Sequence, residues 1–204
     1  MDIELEQRIV KRASELFLMH GIKSITMDFI AGDVGISKRT LYEVFRDKDA
    51  LLLKTLAYQE EKSKEEREKL ALTCTNPFEL GLKEFARISQ TIRRVNRNYM
   101  RDLQKYHPKV LPYLEANRKS NTEGLIRLTE EGIREGYVRP ELNGRLLALI
   151  LQAQFEILMN FEKIEEYNFS FSEVYETIVI NFARGMATQK GLELVDNYLS
   201  KKNE

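Results

Sequence analysis

Side chains suited to covalent or metal chemistry are scarce in this 204-residue chain, which has two histidines, His20 and His107, and one cysteine, Cys74. A metal site or a nucleophilic dyad has little to draw on. There is no HExxH spacing and no phosphate-binding glycine loop. Carboxylates number 32, but no pair stands out as an acid and base. The sequence therefore predicts no enzyme, no metal and no cofactor. What it does offer is cationic chemistry. Arg93, Arg97 and Arg101 recur every four residues, with Arg94 beside them. On a helix they form a stripe that could attract an anion, although such a stripe is more often a solvated face paired with acids. His107, between Tyr106 and Pro108, suits a helix end, in capping or packing. Nothing around Cys74 demands a redox role.

A second constellation is structural, and more specific. A helix-turn-helix needs a small residue where its helices cross, a left-handed turn, and an aliphatic residue pointing back from the second helix. Ala31, Gly35 and Leu41 meet these needs at spacings of four and six, and Ile30, Val34, Ile36 and Val44 fill the other apolar positions. An ordinary helical hairpin would satisfy the same pattern.

The surrounding elements fit. A first helix is predicted from about Leu5 to His20, stopped by Gly21. Thr26 caps a second, MDFIAGDV, with Asp28 in its first turn. Ser37 caps a third, KRTLYEVF. A fourth starts near Lys48 and runs past Leu70, through a charged stretch that reads as a solvated face. Asn76-Pro77 marks a new start. Beyond it, helices are predicted over roughly Phe78 to Tyr106, from near Pro108, over Arg118 to Glu135, Leu142 to Phe161 and Ser172 to Thr188. A short tail helix follows Gly191. Nothing alternates with period two, so the expected fold class is all-α.

From Thr26 the chain reads TMDFIAGDVGISKRTLYEVFRDKDALL. It resembles the N-terminal domain of the TetR family of transcriptional regulators. The matching positions are Thr26, Ile30-Ala31, Val34 to Ser37, Thr40 to Tyr42, Phe45, and Lys48 followed by Leu51. The resemblance implies a DNA-binding domain over 1–50 and a helical ligand-binding and dimerisation domain over 51–204. It also implies that the third helix enters the major groove. Lys38 and Arg39 are then candidates for base edges, and Thr40 for a base or a phosphate. Tyr42 would give its hydroxyl to a phosphate. Thr26, Ser37 and Lys48 stand at helix starts, where backbone N–H groups favour phosphate. From Ile36 to Lys48 there are four bases (Lys38, Arg39, Arg46, Lys48) and two acids (Glu43, Asp47), a local excess of +2 in a chain whose net charge is zero. Phe29, Arg39 and Val44 depart from the family pattern. Asp28 and Glu43 stand where they would repel phosphate.

In the remainder, LLALILQAQFEILM is apolar on nearly every side of a helix and must be buried all round. Packing on a second copy is one way to do this. The helix carrying Val174, Tyr175, Ile178, Val179, Phe182 and Met186 has a similarly broad apolar face. In the family, the last two long helices form a four-helix dimer interface. A homodimer would place two recognition helices roughly 34–36 Å apart, on a palindromic or near-palindromic operator. An unidentified small-molecule effector that prefers another spacing would release the DNA. Its default site lies between bundle helices, with Phe85, Ile88, Tyr99, Met100, Leu103, Phe155 and Met159 as candidates. Gln152, Gln154, Glu156 and Asn160 could orient it. The bland reading of these residues is ordinary core.

The expected protein is thus a cytoplasmic repressor of double-stranded DNA targets. The alternatives are an activator, or a helical interaction module that does not touch DNA. Apolar residues make up 43% of the chain, enough for a core, and one cysteine suits a reducing compartment. No signal peptide or membrane span is expected, since the longest apolar run is Leu146 to Leu151.

Overall fold

The computed structural model describes residues 3–156 and 166–202. Helix α1 (Ile3–His20) buries Ile9, Ala13, Leu16 and Phe17 on one face, the three- and four-residue spacing of an amphipathic helix. It ends at Gly21, where φ is +80° and the amide donates to the Phe17 carbonyl at 2.9 Å. Helix α2 (Met27–Val34) starts at Thr26, whose hydroxyl accepts a hydrogen bond from the Phe29 amide. It stops at Gly35, where φ is +75°, a left-handed backbone that glycine adopts at least strain. Helix α3 (Lys38–Val44) is capped by the Ser37 hydroxyl, which accepts from the Thr40 amide at 3.0 Å. Helix α4 (Lys48–Ala71) follows, with the Asp47 carboxylate accepting from the Ala50 amide at 2.8 Å.

The stretch expected as one helix from Phe78 to Tyr106 is two: α5 (Pro77–Arg94) and α6 (Tyr99–Tyr106). Asn96 makes the break. Its side-chain oxygen accepts from the Asn98 amide at 2.9 Å, and its own amide donates to the Leu18 carbonyl on α1 at 2.7 Å. Asparagine competes in this way with the helical hydrogen-bond ladder. A 3₁₀ turn, Pro108–Val110, leads into α7 (Leu111–Arg134), which runs unbroken where two segments were expected. Helices α8 (Gly144–Glu156), α9 (Phe171–Met186) and α10 (Gln189–Lys202) complete the described chain. The tail helix is 14 residues long and starts ahead of Gly191. Among the described residues there is no strand, only an isolated bridge between Val138 and Ala187. The fold is all-α.

The chain divides into two units. The N-terminal unit comprises Met1–Glu66 and Arg94–Ala116. In its core Phe17, Ile22, Ile30, Leu41, Leu51, Leu52, Leu103 and Val110 are buried. α6 therefore packs in the same core as α1 to α3.

The C-terminal unit comprises Arg67–Arg93 and Asn117–Glu204. One of its apolar clusters joins Phe78, Leu82, Val138, Ala183, Met186 and Val195. Another joins Phe85 and Tyr175 with Phe155, Ile88 and Ile178. α9 carries a capping box, in which Ser170 and Glu173 satisfy each other's orphan amides. No described helix is long and apolar enough to cross a membrane.

Candidate nucleic-acid interface

Burial decides which face of the α2–turn–α3 segment is free. Ile30, Ala31, Leu41 and Phe45 are buried, and Val34, Ile36 and Val44 pack against the same core. The apolar positions of the expected helix-turn-helix thus turn inward together. The outward face carries Asp28, Phe29, Lys38, Arg39, Tyr42 and Glu43. Tyr42 is 43% exposed and Phe29 is 52% exposed, so two aromatic rings stand on this outward face.

The expected contact residues fall into three groups. Lys38, Arg39 and Tyr42 are exposed on α3. Thr26 and Ser37 are also exposed, but their hydroxyls cap helices, and the Ser37 hydroxyl lies 2.8 Å from that of Thr40. Lys48 turns inward: its ammonium donates to the Ile22 carbonyl at 2.5 Å and lies 5.6 Å from the centre of the Phe17 ring. Burial pushes its pKa down from the usual lysine value. Lys48 therefore ties the α1–α2 loop to the start of α4.

The acids expected to repel phosphate have cationic partners on the same surface. Asp28 binds the Lys38 ammonium at 2.8 Å, and Glu43 binds Arg39 at 2.9 Å. The Asp28 carboxylate holds the Lys38 pKa above its ordinary value. Partnering across the two helices was not legible from sequence, because residues ten apart give no periodic signal.

Other pairs hold the segment in place. Arg12 on α1 grips Asp33 on α2 through Nε and Nη2, at 2.5 and 3.1 Å, and the guanidinium holds the Asp33 carboxyl below the usual carboxylate range. Asp102 on α6, only 3% exposed, accepts from the Lys23 amide at 2.8 Å. His107 Nδ1 lies 2.6 Å from Asp49 at the head of α4. Sequence reasoning missed Arg12 and Asp102, since neither departs from an ordinary amphipathic helix pattern.

The effector candidates separate. Tyr99, Met100 and Leu103 belong to the N-terminal core; Tyr99 shares hydrogen bonds with Gln59, and burial pushes its hydroxyl up to about 12. Phe85, Ile88 and Phe155 come together in the C-terminal unit, around Tyr175. There the Phe85 and Phe155 rings each stack on Tyr175, at 5.4 and 5.5 Å, and Tyr198 meets Phe85 edge-on at 6.0 Å. Met159 and Asn160 lie outside the described residues. Arg93 pairs with Glu176 at 2.6 Å, a carboxylate that also accepts from Ser89. No group of residues able to hold a metal ion occurs among those described.

A short exposed helix with basic and hydroxyl side chains, held by a glycine turn on a buried partner, defines a helix-turn-helix protein. Residues 9–55 match the family model described as bacterial regulatory proteins, tetR family. Similar solved structures extend the likeness in fold. A TetR-family transcriptional regulator from Agrobacterium tumefaciens is 17% identical, with TM-score 0.71 over 91% of this chain and 98% of that one. One from Cytophaga hutchinsonii is 16% identical, with TM-score 0.70 over 92% and 96%. A transcriptional regulator from Saccharomonospora viridis, solved in complex with choline, is 14% identical, with TM-score 0.68 over 91% and 99%. The curated proteins searched contain no match. Residues 9–55 thus match the helix-turn-helix segment of that family, and the solved structures share the all-α fold.

Proposed function

We propose that this protein is a cytoplasmic repressor that binds a palindromic or near-palindromic operator as a homodimer and is released by a small molecule. The observation that carries the reading is the outward face of α3. Lys38, Arg39 and Tyr42 stand exposed on a helix whose inner face is locked into the core. Such a helix can enter a major groove without unfolding anything. Lysine and arginine there donate to guanine O6 and N7, and a tyrosine hydroxyl donates to phosphate. Thr26 and Ser37 fix the helix starts that face the backbone, and Lys48 acts by holding the loop before α2.

A dimer is supported by α8. Ala148 and Leu151 are buried, while Leu146, Leu149 and Ile150 are 55%, 60% and 41% exposed. An apolar stripe of this kind, on a helix with no charge after Arg145 until Glu156, suits a second copy. Effector binding is supported in the C-terminal unit by the aromatic cluster of Phe85, Phe155 and Tyr175. The buried side-chain oxygen of Gln154, the residue before Phe155 in sequence, has no hydrogen-bond partner among the described residues. A ligand donor would satisfy it. The structural neighbour solved with choline provides a precedent for a small molecule in this fold.

Selection from a random duplex library, repeated across salt concentrations, tests the reading. A dimeric repressor enriches a palindrome whose affinity falls steeply with salt. If folded protein enriches nothing, with and without a small-molecule screen, an interaction module is the better account.

A further inference from the structure

We infer that Asp28 is a specificity-determining residue, and that the Lys38–Asp28 pair reads base edges as one donor–acceptor unit. The inference rests on the proposed entry of α3 into the major groove. Lys38 opens α3 and Asp28 lies in the first turn of α2, yet their charged ends meet at 2.8 Å on the exposed face, both more than half accessible. Tyr42, one turn along α3 from Lys38, is near enough to influence the lysine's charge. The pair therefore stands within the surface that would face DNA, beside the tyrosine assigned to phosphate.

A carboxylate in that place has a restricted set of acceptable surroundings. Phosphates repel it. Base edges offer it donors only at exocyclic amino groups, and among these an aspartate suits cytosine N4. The ammonium it holds has the opposite need, the O6 and N7 acceptors of guanine. An approach that buries the pair against bases lacking both groups leaves the remaining donors of Lys38 and acceptor positions of Asp28 unmet, so Asp28 disfavours most sequences rather than adding affinity to all. The predicted half-site holds neighbouring guanine and cytosine bases at the position the pair reaches. Asp28 also lowers the net positive charge of the interface, which weakens non-specific binding.

The test is library selection with the full-length wild type, Asp28→Asn and Lys38→Gln, each first shown to keep the wild-type melting profile. Asp28→Asn is expected to bind random-sequence duplex about ten-fold more tightly at low salt and to steepen the salt dependence by about one phosphate contact. Discrimination at one base pair of each half-site falls about ten-fold or more, while the other positions keep theirs. Lys38→Gln loses the guanine preference at the same or the adjacent pair. An unchanged wild-type base preference in Asp28→Asn, with affinity raised equally for every sequence, overturns the inference and leaves the DNA-binding reading standing. A wild type that selects no sequence overturns both.

Discussion

Asp102 shows how one buried side chain can govern a loop far from it in sequence. Its carboxylate accepts the Lys23 amide from the α1–α2 loop, and Asn96 on the same segment holds the Leu18 carbonyl. Asp102→Ala strands the Lys23 amide and is expected to destabilise the N-terminal unit by about 1–3 kcal/mol in urea unfolding, with Asp102→Asn, which keeps an acceptor, losing less. Equal stability of the alanine variant and the wild type would remove this role. Glu79 supplies a pH-dependent case in the other unit. It accepts from the Thr75 amide and hydroxyl and pairs with Lys83, and its carboxyl is held down at about 2, the Lys83 hydrogen bond contributing most. Because the folded value is depressed, its stabilising effect is present above the ordinary glutamate value and is lost as pH falls towards about 2. Amide exchange at the start of α5 is expected to accelerate over that acid range in the wild type, and to show no such step in Glu79→Gln. At this scale the sequence was partly legible. It placed Lys38 and Tyr42 on an exposed helix face, but it could not show that Lys48 folds inward, since a lysine at a helix start reads the same whether its ammonium meets a phosphate or the Ile22 carbonyl.

The helices of the N-terminal unit were readable because local chemistry and tertiary packing agree. Thr26 and Ser37 cap, Gly35 turns, and Ile30 and Leu41 point inward, so each residue type has one role that suits it. Gly35→Ala is expected to destabilise the protein by about 1–2 kcal/mol, because φ at this position is +75° and an L side chain is strained there. An added Cβ would meet nothing within 4 Å, so backbone strain alone sets the loss in a thermal melt. A variant as stable as wild type would show that the turn rearranges freely. The α5–α6 break was illegible for the opposite reason. The apolar spacing continues through Val95, Tyr99 and Leu103, and the interruption depends on Asn96 reaching α1, a contact no local pattern announces. The same break explains why the expected effector residues divide between two cores. At Gly191, ordinary helix reasoning placed a start after the glycine, whereas Gly191 lies inside α10, in close approach to the Tyr137 carbonyl that leaves no room for a side chain.

For the whole molecule, a net charge of zero means that the proposed DNA affinity has to come from one small surface, doubled in the proposed dimer. In the proposed dimer that doubling would rest on the exposed stripe of Leu146, Leu149 and Ile150. Leu149→Arg is expected to turn a dimer into a monomer in sedimentation and to weaken operator binding at least about ten-fold, since the second recognition helix no longer binds with the first. A variant that remains dimeric would move the interface elsewhere. The apolar character of this helix was plain in the sequence, which predicted burial all round with a second copy as one way to achieve it; the single chain leaves Leu146, Leu149 and Ile150 exposed.

The claim on which the rest depends is that the exposed face of α3 binds DNA. Its most direct test is a titration of the selected duplex with wild type, Lys38→Ala and Tyr42→Ala, alongside melting curves. The account predicts that each substitution lowers affinity about ten-fold or more while the melting transition stays in place. Wild-type affinity in both variants would contradict it.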